Sequence, residues 1–252
     1  MQKQNRVAFI TGASRGLGLA MVKAFLNAGN KVALIDVLPF DINEIPEEQR
    51  KSVMFSSIDV KDIESCISFI QNVKDIFGPI GILVNNAGIS PKMPSGVSAN
   101  LLELTMEEWE KVIAVNLTSA IFITKAILPQ MLEMGWGRII NMHSQAGRAR
   151  ISITGPSYNC SKGALGAFTR TLASEWGPRG VTANSIAPGR ITSPMVEQLG
   201  AEKNKAMVQT IPVRRYGTAE EVAAVAVFLA AESSGFLNGI VVDINGGAYM
   251  PA

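Results

Sequence analysis

Val7-Ala8-Phe9-Ile10-Thr11-Gly12-Ala13-Ser14-Arg15-Gly16-Leu17-Gly18-Leu19-Ala20 decides how this chain folds. Its first residues form an apolar run without polar alternation, as expected of a strand buried on both faces. Three glycines then interrupt the run, and an Ala/Leu/Met-rich stretch with helical character follows. Glycine permits a tight turn and lets the main chain approach a ligand without interference from a Cβ. The helix beyond presents unpaired N–H groups and a positive dipole end to whatever sits over the turn, which favours an anion.

Outward from this turn the pattern repeats. Short β-branched runs occur at Val7–Ile10, Lys31–Asp36, Val53–Asp59, Ile80–Asn85, Arg138–Met142, Val181–Ala187 and Ile240–Ile244. Helical spacing fills the gaps: Ile63, Ile67, Ile70, Val73 and Phe77 recur three or four residues apart. Thr218 and Glu221 form a capping box ahead of Val222, Val225 and Leu229. Alternation of this kind predicts an α/β doubly wound fold, a parallel sheet of about seven strands flanked by helices. With no repeat or linker to divide it, residues 1–252 are expected to form a single domain. Ligands of such sheets bind at the carboxyl ends of the strands, so chemistry is sought just after each run.

Composition narrows the class. Hydrophobic residues make up 47% and charged residues 17%, which favours a filled core over disorder. Lys+Arg exceed Asp+Glu by only 23 against 21, giving no reason to expect nucleic acid or an anionic membrane as partner. The first apolar run is too short for a signal segment or a membrane span, and two cysteines, Cys66 and Cys160, have neither disulfide-scaffold number nor metal spacing. A cytoplasmic protein without a metal is the expectation.

The glycine turn admits two chemistries. Gly12, Ser14, Arg15, Gly16, Leu17 and Gly18 suit a dinucleotide pyrophosphate. Gly12-Ala13-Ser14-Arg15-Gly16 also matches the G-x-S-x-G nucleophile elbow of a serine hydrolase, with Ser14 as nucleophile. An elbow after the first strand would lack the preceding strand–loop that supplies the oxyanion hole. Asp36, at the end of the second run and eighteen residues after Gly18, stands where a ribose-binding acid is expected. A carboxylate there accepts from both ribose hydroxyls and repels a 2′-phosphate, so NAD is expected ahead of NADP, with Arg15 as a partial counterweight.

Taken together, Thr11–Gly18, Asn85-Asn86-Ala87-Gly88, Ser144, Tyr158-x-x-x-Lys162 and Pro188-Gly189 resemble the short-chain dehydrogenase/reductase family, and the similarity runs on to Val242–Gly247. The resemblance implies a Rossmann fold and NAD-dependent interconversion of an alcohol and a carbonyl. It implies that Asn86, Ala87 and Gly88 line the adenosine side of the cofactor, that Asp59 and Val60 flank the adenine, and that Pro188, Gly189, Ile191 and Ser193 embrace the nicotinamide. Thr192-Ser193 replaces the family's Ala-Thr pair. Tyr158 becomes the general acid/base, Lys162 the cation that lowers its pKa, Ser144 the donor to the substrate oxygen, and Asn116 the holder of a water that links Lys162 to solvent. Spacing agrees, since residues four apart share a helix face. A free phenol with pKa ~10 needs such help at neutral pH.

Less is written for the substrate. His143, the one histidine, precedes Ser144 as a substrate contact, an auxiliary proton group or a packing residue. Arg148, Arg150 and Arg190 flank the segments bordering the substrate, as anion clamps or as ordinary surface charge. Specificity is expected from the loop after Ser144 and from a substrate-loop region at about 190–215. Sugars, polyols, anionic hydroxy compounds, steroids and acyl thioesters are the candidate substrates. The resemblance also implies a homotetramer built by helices around 106–131 and 158–176 and by the C-terminal strand. A cofactor-binding sensor or scaffold without turnover is the alternative from a different class.

Overall fold

The computed structural model describes residues 5–94, 96–149, 151, 153–192 and 206–251. Seven parallel strands form one sheet: β1 (Val7–Thr11), β2 (Lys31–Asp36), β3 (Val53–Ser57), β4 (Ile80–Asn85), β5 (Gly137–Met142), β6 (Val181–Pro188) and β7 (Val241–Ile244). Their spatial order is β3-β2-β1-β4-β5-β6-β7. The sheet therefore grows one way from β1 to β3 and the other way from β4 to β7, and the reversal lies between β1 and β4. In open α/β sheets the crevice for a ligand opens at such a reversal.

Helices cover both faces. Alternate side chains of β1 show why: Ala8 and Ile10 join a core cluster with Met21, Val22 and Phe25 of α1 (Gly16–Asn27). Val7 and Phe9 join a second cluster on the opposite face, with Phe69, Ile70 and Val73 of α3 (Ile63–Phe77). The short α2 (Glu47–Arg50) precedes β3. Helix α4 (Met106–Ile113) runs through a π-helical turn, Ala114–Thr118, into α5 (Ser119–Met134), while α6 (Pro156–Trp176) follows β5. Helix α7 (Ala219–Ala230) starts at the Thr218–Glu221 capping box read from the sequence. The continuous helix from Met106 to Met134 is long and apolar enough to cross a membrane by length and composition, but Val112, Val115, Ile123, Ile127 and Met131 are buried within this fold.

Five strand ends differ from expectation: β1 runs on to Thr11, β5 starts at Gly137 and β6 runs on to Pro188, while β3 and β7 are shorter. The third strand stops at Ser57 rather than Asp59, because the Asp59 carboxylate accepts from Lys61 N–H at 3.0 Å and turns the chain toward α3. The last begins at Val241 rather than Ile240.

Candidate active site

A cleft of about 740 Å³ opens over the carboxyl ends of the strands, on both sides of the β1/β4 reversal. Its floor at one end is the turn between β1 and α1. Gly12 has φ +64°, and a Cβ there would lie 2.8 Å from Ala87 Cα. A Cβ on Gly18 would lie 2.3 Å from the Gly12 carbonyl oxygen. Gly16, at φ +54°, has nothing within 4 Å of an added Cβ, so this part of the turn faces open space. Thr11 stitches the turn to β4: its hydroxyl accepts from both Asn86 and Ala87 N–H at 3.0 Å. The Asn86 amide donates to the carbonyls of Thr11 at 2.9 Å and Gly12 at 2.7 Å.

This cradle fits a dinucleotide. Gly12, Arg15, Gly16, Leu17 and Gly18 line the cleft, as do Asp36, Asp59 and Val60. So do Asn86, Ala87 and Gly88, and, toward the other end, Pro188, Gly189 and Ile191. Ser90 Oγ, also in the lining, is buried and makes no hydrogen bond among the described residues. Ser193 lies outside the described residues. Ser14 is not among the lining residues; its hydroxyl donates to Leu38 O at 3.1 Å, with no imidazole attached, which removes the geometry of a hydrolase nucleophile.

At the far end three elements bring the reacting residues together. Ser144 caps a short turn, Gln145–Gly147, just after β5. Tyr158 and Lys162 stand one turn apart on α6, and the Tyr158 hydroxyl is hydrogen-bonded with the Ser144 side chain. Lys162 is 3% exposed, lies 5.8 Å from the centre of the Tyr158 ring, and donates to the Met142 carbonyl at 2.7 Å. Burial pushes the Lys162 ammonium down to about 8. Burial also raises the Tyr158 phenol above its ordinary value, and only the Ser144 hydrogen bond pulls it back. Lys162 is the nearby cation that favours the phenolate once the proton has left.

Asn116 is 1% exposed and sits in the π-helical turn, an insertion of the type often found beside functional sites. Its amide donates to Ile89 O and Ser161 Oγ, both at 3.0 Å, and its carbonyl accepts from Ile89 N–H at 2.8 Å. Both amide N–H groups are engaged within the chain, so the side chain braces the segments around it. Ser161 in turn donates to the Tyr158 carbonyl at 2.8 Å.

The match to known proteins agrees with this geometry. The profile of a family described as "Enoyl-(Acyl carrier protein) reductase" covers residues 12–249. The chain is 36% identical to an acetoacetyl-CoA reductase of Rhizobium meliloti over 97% of its length and 99% of the relative's. It is 35% identical to a 3-oxoacyl-[acyl-carrier-protein] reductase of Pseudomonas aeruginosa, over 99% and 100%. The chain belongs to the short-chain dehydrogenase/reductase family. A crystal structure of such a carrier-protein reductase from Brucella melitensis, with bound NAD, superposes with a TM-score of 0.87 at 34% identity, covering 99% of this chain and 93% of that one. Like its relatives, this short-chain dehydrogenase/reductase is an oxidoreductase that uses a pyridine nucleotide.

The tentative substrate residues fare unevenly. His143 lines the cleft. Arg148 does not: its Nε lies 3.3 Å from Asp243 Oδ1, and its guanidinium stacks 5.4 Å from the centre of the Tyr249 ring. Arg190 is absent from the lining too, and points Nη1 at the sulfur of Met207 at 3.4 Å. Arg150 lies outside the described residues. Residue-by-residue reading passed over Thr11 and Ser161. Ser161's place three residues after Tyr158 was a usable signal; the double acceptance at Thr11 joins segments 75 residues apart and left none.

Proposed function

We propose that this chain reduces the keto carbon of a 3-oxoacyl thioester, with Tyr158 as general acid and Ser144 as donor to the same oxygen. The observation that carries the reading is the meeting of the Tyr158 phenol with Ser144, one helical turn from the buried Lys162, at the end of the cleft that fits the cofactor. A protonated acid is the form a reduction needs. When bound, the reduced cofactor supplies the hydride to the carbonyl carbon. Tyr158 gives its proton to the oxygen, whose developing charge Ser144 meets with a hydrogen bond. Lys162, charged below about pH 8, stabilises the phenolate left behind. Asn116 holds α6 through Ser161 and so fixes the helix that bears the acid.

The substrate class is taken from the relatives, whose names specify acetoacetyl-CoA and 3-oxoacyl carrier protein. It selects the acyl thioester from the candidate substrates and sets aside the sugar and the polyol. The pairing of Arg148 with Asp243 argues against a small anionic substrate held by that residue. NAD is proposed ahead of NADP because Asp36 lines the adenosine end. Residues 190–215 are proposed as the substrate-loop region of one domain, and the working form as a cytoplasmic homotetramer.

The test is acetoacetyl-CoA with NADH or NADPH, comparing wild type and Tyr158→Phe. Loss of the hydroxyl should lower kcat at least roughly a hundredfold, the usual contribution of a positioned acid, with little change in cofactor binding. A variant that keeps most of its rate would remove Tyr158 from its role. A wild-type chain that binds cofactor but reduces no carbonyl would return it to a binding module.

A further inference from the structure

His143 is buried, at 5% exposure, and its imidazole folds back onto the next residue: Nδ1 lies 2.7 Å from Ser144 N and 2.7 Å from Ser144 O. Either neutral tautomer therefore bonds Ser144, as acceptor from its N–H or as donor to its carbonyl. The ring sits in a slot cut by two glycines. A Cβ on Gly147 would lie 2.4 Å from its Cε1, and one on Gly166 would lie 3.0 Å from Nε2 and 3.2 Å from Cδ2. The same Gly147 Cβ would strike Gly163 N and Lys162 C of α6, both at 2.8 Å, so the turn bearing Ser144 packs directly on the helix bearing Tyr158, with the imidazole beside that contact. Ser144 Oγ accepts from Ala146 N–H at 3.1 Å, which fixes the far side of the residue.

We propose that His143 is a positioning residue that acts through Ser144. Wedged between Gly147 and Gly166, it clamps the Ser144 main chain so that the hydroxyl faces Tyr158. Its part is to hold Ser144, not to carry a proton in the reaction. The inference rests on the proposed role of Ser144, and the experiment separates the two. The probe reaction is acetoacetyl-CoA reduction by the full chain, with His143→Ala, His143→Asn, Gly166→Ala, Ser144→Ala and the double variant His143→Ala/Ser144→Ala.

His143→Ala should lose roughly ten- to hundredfold in kcat, as expected when a reacting group drifts by about an ångström, with KM for the cofactor unchanged. His143→Asn, which keeps a polar group near the Nδ1 position, should recover much of that loss. Gly166→Ala, which crowds the ring without touching Ser144, should lower kcat while its melting temperature stays close to that of His143→Asn. The decisive result is the double variant: it should be no slower than Ser144→Ala alone. A loss that adds to that of Ser144→Ala, or a His143→Ala variant with wild-type kcat, overturns the positioning role while leaving Ser144 in place. A Ser144→Ala variant with wild-type kcat overturns both. Should His143→Ala fail to fold, Gly166→Ala and His143→Asn, each in the Ser144→Ala background, separate the same two outcomes: no further loss supports the clamp, and an additive loss overturns it.

Discussion

Asp36 accepts a backbone hydrogen bond at each carboxylate oxygen, from Ser14 N–H at 2.9 Å and Leu38 N–H at 3.0 Å, and still lines the cleft. Its charge therefore meets the adenosine end while its geometry ties the glycine turn to β2. Asp36→Asn separates these roles. It removes the charge, so the ratio of NADPH to NADH kcat/KM should rise roughly tenfold, or ~1.4 kcal/mol. It also turns one acceptor into a donor facing an N–H, and should cost about 1–3 kcal/mol of stability. An unchanged cofactor ratio, read by side-by-side kinetics, would mean that Asp36 does not set the preference. His143 allows a cleaner pH argument, being the sole histidine. Burial first, then the nearby charges of Lys162, Arg148 and Arg170, lower it from an ordinary 6.5 to about 4, against a partial lift from its Ser144 hydrogen bond. A base with a lowered folded value takes up its proton in the unfolded chain first. The contribution of His143 to stability is thus level above pH 6.5 and falls as pH drops from 6.5 toward about 4, by roughly 3 kcal/mol at full extent. In denaturant titrations between pH 7 and 5 this slope should vanish in His143→Asn, and its survival there would assign it to other groups.

The turn from β1 into α1 shows what a single methyl group would do at different points of one element. On Gly18 it would run into the Gly12 carbonyl oxygen and Ala13 Cα, at 2.3 and 2.6 Å, which are main-chain atoms that cannot step aside. On Gly16 it meets no atom, and only the left-handed backbone at φ +54° resists, at about 1–2 kcal/mol. Gly18→Ala should therefore weaken NADH binding at least roughly tenfold by displacing the helix N-terminus that faces the cleft. Gly16→Ala should bind nearly as wild type with a modestly lower melting temperature. Fluorescence titration of both distinguishes them, and equal losses would count against this account of the turn. Elements of this kind were readable in the sequence because strands buried on both faces lack alternation and helices carry their own caps. Thr218 and Glu221 are an instance, with each side chain bonding the other's backbone N–H. The π-helical turn at Ala114–Thr118 was not readable, since one added residue leaves the apolar spacing of a helix almost intact. The same limit applies in the site: Tyr158 and Lys162 announce themselves by local spacing. The slot around His143 and the engagement of Arg148 by Asp243 are made by segments far apart in the chain.

At the scale of the whole molecule the continuous helix Met106–Met134 poses the remaining physical question. Its inner side chains pack on the sheet, but less than half of its most apolar window, 44%, is buried. Met106 stays 69% exposed and Phe122 42%, and the preceding Leu101 and Leu102 are 74% and 97% exposed. Apolar surface gathered on one segment commonly marks a contact with another chain. The tetramer implied by family resemblance places this helix and α6 at subunit contacts, and α6 also carries Tyr158 and Lys162. Assembly and catalysis would then share a helix. We expect the wild-type chain to sediment at about four times its 26.9 kDa monomer mass. Phe122→Asp should sediment as a smaller species with an unchanged circular dichroism spectrum, because Phe122 lies outside the buried core. Its rate with acetoacetyl-CoA should fall as well, since α6 loses a neighbour that holds it. A wild-type chain that stays monomeric at micromolar concentration would remove the tetramer. A Phe122→Asp tetramer with full activity would move the contact to another face and leave the exposed helix without its partner.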